Sequence, residues 1–482
     1  MGNLKKNYLY RLLYEILTMI TPLITTPYVS RILGADGIGI YSYTYSYVTY
    51  FIMFAALGTS SYGMREIARC RDNANEYSKK FWEIEILSII TSSISFIIWI
   101  IVILFLANNT IYFICFTPYL LATMFDISWF YTGKEKVGYS VFWNAICKVL
   151  GVILIFVFIK EKSDVSKYIL LNSFTVLLGN ISMWIFLPKF LKKVDIRTLS
   201  PMKHFKETLI YFVPTIATSI YTVLDKTLIG LISNNNFQNG YYEQANKIIG
   251  MVKAFVFVSV NTIMESRISY LFVSNKVEEI KNRIERSISF IMLLGYATMF
   301  GIISIAADFV PIFFGKGYEP VIYLLYLMSP LIIIIGISNC LGSHYYTPAG
   351  YREKSAKYII WGSVINLICN LIFIPIFEAK GAVIGSIIAE MSISFLYLKN
   401  CNGFLTLAQI WKNSYKRIIA GLIMVILIKL IRNILSASIL SLIIEICSGA
   451  IVYFLILVIL KDSLVIELFD NVKLKIINYM KR

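Results

Sequence analysis

Apolar residues gather along the chain into runs of about 20, separated by short polar connectors. A run of that length spans the hydrocarbon core of a bilayer as an α-helix. Fourteen such runs stand out, at 8–33, 41–63, 83–106, 111–131, 139–159, 167–187, 208–232, 247–271, 287–307, 320–341, 355–377, 381–398, 417–434 and 438–460. The pattern predicts an all-α polytopic membrane protein. The first, eighth and thirteenth runs carry the most polar positions and are the least regular. The largest connectors, 188–207 and 274–286, are charged and far shorter than a soluble domain, so no soluble catalytic domain is expected on either side.

Charge sharpens the topology. Lys and Arg crowd alternate connectors: Arg65, Arg69, Arg71, Lys79 and Lys80, then Lys134 and Lys136, then the stretch from Lys189 to Lys206. The series continues through Arg267 to Arg286, Arg352 to Lys357 and Lys399 to Arg417, while the intervening connectors are nearly bare. Lys160, Lys162 and Lys167 break the alternation, diluted by Glu161 and Asp164. By the positive-inside rule, both termini face the cytoplasm, and the expected location is the cell membrane. The chain has 482 residues, 58% hydrophobic and 15% charged, against about 25% charged in soluble domains. Its net charge of +17 is accounted for by the connectors, and no basic patch interleaved with aromatics suggests nucleic acid. The seven cysteines lack Cys-x-x-Cys spacing and there are only two histidines, so neither a disulfide framework nor a metal site is expected. The first run contains Arg11, Glu15, Pro22 and Pro27 and reads as a membrane helix, not a cleaved signal peptide.

A repeat is visible at a separation near 200 residues. Thr25–Gly34, at the outer end of the first span, is matched by Tyr221–Gly230 in the seventh. Gly39-Ile40-Tyr41 is matched by Gly240-Tyr241-Tyr242, and the stretch around Arg65 by the one around Arg267. Six spans per unit, an even number, give the two copies the same orientation, a parallel repeat of the transporter kind. The expected organisation is a six-helix lobe over 1–190, a second over 200–400, two further helices over 415–462 and a cytoplasmic tail over 463–482. Charges inside the spans are costly and mark inner faces or cavities. They are Arg31, Lys148, Lys226 and Lys253, with the acids Glu15, Asp225 and Glu390. Asp225 and Lys226 are adjacent on a helix and so point in different directions. Lys148 lies about ten residues from either end of its span, and pairing with Glu15 or Glu390 is the structural alternative to a ligand role. Lys253, one turn inside its span, is expected to snorkel.

With these landmarks placed, the sequence resembles the oligosaccharide flippases of bacterial polysaccharide export, in the multidrug/oligosaccharidyl-lipid/polysaccharide (MOP) exporter superfamily. Pro22-Leu-Ile-Thr-Thr-Pro27-Tyr28, Arg31-Ile-Leu-Gly34 and Arg65-Glu66-Ile67 carry the likeness. So do Asp126-Ile-Ser-Trp129-Phe-Tyr-Thr-Gly133, Leu224-Asp225-Lys226 and Arg267-Ile268-Ser269. The late segment with Asn339, Pro348, Gly350, Asn366, Asn370, Gly381 and Glu390 also fits. The likeness covers spans one to twelve. Relatives commonly have a proline just ahead of the arginine that corresponds to Arg267; here Glu265 and Ser266 stand there.

The resemblance implies a transporter and not an enzyme. Its substrate would be a polyprenyl-pyrophosphate-linked oligosaccharide, translocated across the cytoplasmic membrane by alternating access for cell-surface polysaccharide synthesis. A wet cavity would need cations for phosphate and hydrogen-bonding groups for sugar hydroxyls. Arg31, Lys148, Asp225 and Lys226 are the candidates for substrate binding. Glu15, Arg65, Glu265, Arg267 and Glu390 are candidates for gating or coupling, with Arg65 expected to pair with Glu66 or Glu265. No cofactor is implied beyond a coupling H⁺ or Na⁺. Membrane lipids, a polysaccharide polymerase and glycosyltransferases are the implied partners. Tyr41, Tyr43, Tyr45, Tyr47 and Tyr50 cannot share one helical face; most read as an interfacial belt and the rest as sugar-stacking rings. Pro22, Pro27 and Pro214 mark spans one and seven as the helices expected to bend. The competing readings are a multidrug or cation antiporter, which predicts acid-dominated cavities, and a peptidoglycan lipid precursor flippase. A membrane glycosyltransferase or polymerase would need an Asp-x-Asp pair or a long outer loop, and the sequence has neither.

Overall fold

The computed structural model describes residues 2–105, 110–274 and 276–470, with the side chains of 2–6, 8, 213–222, 259, 262–263, 265–266 and 273 left aside. The described residues form helices joined by turns and connectors, without strands. Ten helices or continuous helix runs among them are long and apolar enough to cross a membrane. All fourteen expected spans fall on helix. The chain divides into two compact units, Met1–Gly240 and Tyr241–Arg482.

The first unit opens with α1 (Gly2–Ala56), which at about 1.5 Å per residue is far longer than one bilayer crossing. It is two spans in one helix, divided at Gly34, whose φ of 69° and ψ of 176° interrupt the helical torsions. Only glycine takes that conformation cheaply. Pro22 and Pro27 lie within helical torsions, so the break expected at the prolines sits at Gly34 instead. A second break, at Leu57 and Gly58, both with positive φ, separates α1 from α2 (Thr59–Arg69). The expected second span, 41–63, is therefore cut before its end. Then follow α3 (Ala74–Phe105), α4 (Thr110–Met124), the single turn α5 (Ser128–Gly133), α6 (Gly138–Phe158), α7 (Val165–Trp184) and α8 (Phe205–Ser233).

α1 is the central element of this unit and packs against α3, α4, α6, α7 and α8. One buried cluster gathers Val48, Trp99, Phe113, Phe116 and Ile155. Another gathers Phe81, Trp129, Phe130, Tyr131 and Met183. The Asp126–Gly133 motif builds α5: the Asp126 carboxylate accepts from the Ser128 N–H at 3.0 Å and starts the turn. Trp129 then stacks on Phe81 with ring centroids 5.4 Å apart. A side chain at Gly63 would strike the Trp129 indole and one at Gly133 the Met64 carbonyl, so small residues let α2 and α5 touch. The connector ahead of α8 is tied down by His204, buried between the Tyr62 hydroxyl at 2.6 Å and Glu83 at 3.0 Å.

α9 (Asn236–Val273) starts in the first unit and runs into the second. The repeat landmarks meet at its start: a Cβ at Gly39 would overlap the Asn236 carbonyl at 1.8 Å, and one at Gly240 the Ala35 carbonyl at 2.0 Å. The two glycines of the repeat thus serve the same close approach from opposite sides.

The second unit contains α10 (Val277–Phe314), α11 (Glu319–Met328), α12 (Leu331–Leu341), a π-helical turn at Gly342–Tyr346, α13 (Arg352–Phe377), α14 (Ala379–Lys399), α15 (Leu407–Ile434) and α16 (Ile439–Ile459). The late motif is a packing device. Asn370 donates to Asn366 at 3.1 Å, Asn366 reaches Ser386 at 3.4 Å, and Gly381 and Gly385 bring α14 against α13. α15 begins at Leu407 behind a Thr406–Gln409 capping box, ten residues before the expected span. Arg417, expected in a connector, is instead buried inside this helix and bound to Asp462 and Ser289. Residues 471–482 of the expected tail lie outside the described residues.

Candidate functional site

Within the first unit α1, α4, α6 and α7 enclose a cavity of about 720 Å³, with residues of α2 and α5 at one end. Its walls are chemically distinct. Tyr41 and Tyr45 of α1, Tyr119 of α4 and Tyr168 of α7 make an aromatic side. Tyr41 and Tyr45 are stacked at 5.8 Å with an interplanar angle of 6°, and Tyr168 leans on Tyr41 at 5.0 Å. Each ring is held by its neighbours, which makes a platform that orders little further on binding. Asn144 of α6 and Asn172, Thr175 and Asn180 of α7 add polar lining, Asn172 one turn from Tyr168. Lys148, also on α6, supplies a cation on this surface, and Asp126 and Arg11 complete the charged groups.

The Lys148 ammonium sits 5.8 Å from the centre of the Tyr14 ring, a cation–π distance. Among the described residues no carboxylate lies within ion-pair distance of it. The expected alternative partner Glu15 is taken by Arg11 at 3.2 Å on an exposed helix face. Glu390, in the second unit, is buried in α14 and lies within electrostatic reach of the half-buried Lys253. The chemistry of a half-buried mid-span ammonium on a cavity wall suits an anionic group.

Of the residues expected to bind substrate, this cavity takes in Lys148. Arg31 is exposed on α1 and does not line it. Asp225 is buried and Lys226 half-buried on α8, where both are engaged in interactions. The surrounding stretch is fastened to the second half of α1. Thr227 donates to Ser46 at 2.9 Å and lies 3.1 Å from the Tyr50 hydroxyl, and Asn239 caps the Lys226 carbonyl at 2.9 Å. A Cβ at Gly230 would fall 2.1 Å from the Tyr43 ring. The tyrosine run therefore splits by face. Tyr41 and Tyr45 line the cavity, while Tyr43, paired with Tyr47 at 3.1 Å, and Tyr50 turn towards α8.

The expected Arg65–Glu66 pair does not form. Glu66 is held by Arg69 at 2.7 Å and Lys80 at 3.0 Å, and Arg65 donates to the Tyr211 hydroxyl. One helical turn favours the i,i+3 partner over the adjacent residue. The Glu265 side chain lies outside the described residues, and Arg267 is exposed on α9. No cluster able to hold a metal ion occurs among the described residues. The amide wall of α7 escaped sequence reasoning, because single Asn and Thr residues in an apolar run carry no motif. Their spacing of three, five and eight residues, 172 to 175 to 180, is a one-face helical pattern that could have been read.

The family model described as "Polysaccharide biosynthesis protein" matches residues 4–264, more than half of the chain and all of the elements that build this cavity. The chain belongs to that family. Among curated relatives, the "Putative O-antigen transporter" of Escherichia coli (strain K12) is 25% identical over 411 residues, covering 82% of this chain and 96% of that one. The protein of the same name in Shigella dysenteriae is 23% identical over 400 residues, covering 82% and 99%. Among solved structures, that of "Lipid II flippase MurJ" in an inward closed conformation aligns with a TM-score of 0.75 over 94% of this chain and all of that one, at 16% identity. An outward-facing multidrug resistance MATE transporter of the MOP superfamily aligns with a TM-score of 0.51 over 88% and 97%, at 14% identity. At these identities the structural likenesses establish a shared fold. This polysaccharide biosynthesis family member is thus a multi-pass, all-α protein with a MurJ- and MATE-like fold.

Proposed function

We propose that the protein is a flippase that carries a polyprenyl-pyrophosphate-linked oligosaccharide across the cytoplasmic membrane for surface polysaccharide synthesis, with both termini cytoplasmic. The observation that carries this reading is Lys148, an ammonium with no carboxylate at ion-pair distance among the described residues, on the wall of an aromatic and amide-lined cavity. A phosphorylated sugar head group needs that combination: a cation for its charge, amides and hydroxyls for its hydroxyls, and ring faces for its pyranose rings. The names of the curated relatives support it. Transport would proceed by alternating access, with the loaded cavity opening first to one side of the membrane and then to the other. Arg31 and the α8 pair Asp225 and Lys226 would extend the binding surface, and Arg65 and Arg267 would stabilise closed states. Buried acids such as Asp225 and Glu390 are the seats for a coupling H⁺ or Na⁺. A polysaccharide polymerase and glycosyltransferases would act after and before it.

The test is export of surface polysaccharide in cells that depend on this protein. The double variant Lys148→Ala, Lys226→Ala should insert at normal levels, abolish export and leave lipid-linked oligosaccharide on the cytoplasmic side. Undiminished export by that variant would overturn the reading. Rescue of peptidoglycan synthesis with no effect on surface polysaccharide would instead favour a peptidoglycan precursor.

A further inference from the structure

The α7 side of the cavity has a property that its composition alone does not show. Asn172 Nδ2 donates to the Tyr168 carbonyl at 2.8 Å, Thr175 Oγ1 to the Leu171 carbonyl at 2.7 Å, and Asn180 Nδ2 to the Ala122 carbonyl at 2.8 Å. A carbonyl accepts only from an N–H or O–H, so these bonds fix which end of each amide is which. Each side chain has committed a donor to the backbone. Among the described residues, the carbonyl oxygens of Asn172 and Asn180 and the lone pairs of Thr175 are left without a protein donor. These acceptors attract sugar hydroxyls, and they stand beside the Lys148 ammonium and the second N–H of each amide.

Two glycines set the wall in place. A Cβ at Gly151 would lie 2.6 Å from Thr175 Oγ1, and one at Gly179 would lie 2.4 Å from Asn144 Oδ1. The polar atoms therefore rest against bare backbone of the neighbouring helix, held at positions that a methyl group would change.

We propose that the α6–α7 wall discriminates among saccharides by the configuration of their hydroxyls, an inference that rests on the flippase reading above. The ligand class is the uncharged saccharide segment of the head group. Its rings lie against Tyr41 and Tyr45, its hydroxyls donate to Asn172, Thr175 and Asn180, and its anionic part pairs with the Lys148 ammonium on the same wall. An epimer with one hydroxyl turned away leaves an acceptor unpaired, and an unmet buried polar group is what makes hydrogen-bonding sites selective.

The test uses cells without a flippase of their own that build lipid-linked repeat units ending in glucose or in galactose, which differ in the orientation of one hydroxyl. Wild-type protein should export one epimer ahead of the other by about tenfold, the weight of one hydrogen bond. Asn172→Ala and Thr175→Ala should bring the two rates together at unchanged protein levels in the membrane. Gly151→Ala, which removes no polar atom and only displaces Thr175, should do the same, and Tyr50→Phe, on the α8 side, should leave the ratio alone. Equal export of both epimers by the wild type, or parallel loss of both in Asn172→Ala and Thr175→Ala, overturns the discrimination and leaves the flippase reading standing. Export of neither by the wild type overturns the flippase reading itself.

Discussion

Lys148 and Arg417 are both cations inside long helices, the first expected in mid-span and the second in a connector. Their surroundings are opposite. Arg417 is 1% exposed, donates to Asp462 at 3.2 and 3.3 Å and to Ser289 at 2.6 and 2.8 Å, and so clamps α15 to α10 and to the turn after α16. Lys148 has no carboxylate within ion-pair distance among the described residues, faces a cavity and rests beside a tyrosine ring. A charge whose partners are all protein is part of the scaffold. A charge that lines a cavity beside a ring has room for a ligand. The lesson is that in-span charge marks a candidate, and its partners decide between structure and function.

The comparison breaks first at Arg417. Removing one member of a buried pair strands the other, at a cost of about 3–5 kcal/mol. Arg417→Ala should therefore lower the thermal midpoint of the purified protein steeply, and Arg417→Met with Asp462→Leu should recover most of it; wild-type stability in the single variant would remove the contrast. Next comes Lys148→Ala, expected to reduce export at least about tenfold, the worth of one charge-assisted hydrogen bond. Its melting temperature should stay near that of the wild type, because no acid is stranded. Lys148→Arg should retain part of the export. The α8 face supplies smaller, purely structural controls. Gly230→Ala drives a methyl group into the Tyr43 ring and should cost about 1–3 kcal/mol of stability, as overpacking does. Thr227→Val removes a hydroxyl shared by Ser46 and Tyr50 and should cost about 1 kcal/mol. If either control changed export more than Lys148→Ala does, the division between scaffold and cavity would fail.

The helical passes were legible because a bilayer imposes a length and a composition on each. The boundaries were less so. Gly34 and Gly58 break the first helices at torsions that a hydropathy pattern does not register, and α15 starts ten residues early because its first turns are polar but capped. Lys148 was legible as a mid-span charge. Its lack of a partner was not, since Glu15 could have reached it on sequence grounds and pairs with Arg11 instead. The five tyrosines of α1 were visible as a run. Their division between the cavity and α8 depends on which helices pack on each face.

By itself the sequence determined the class of molecule: fourteen apolar runs, alternating basic connectors and a repeat near 200 residues leave few alternatives to a polytopic transporter-like chain. Hydrophobic length and charge alternation are one-dimensional constraints, so one dimension suffices to read them. The tertiary structure decided which polar residues are structural and which line a cavity. Asn366 and Asn370 tie α13 to α14, while Asn172 and Asn180 face a void, and nothing local distinguishes them. Whether a polar side chain in a membrane helix meets protein or open space is set by the neighbouring helix, and that neighbour is chosen only when the chain packs.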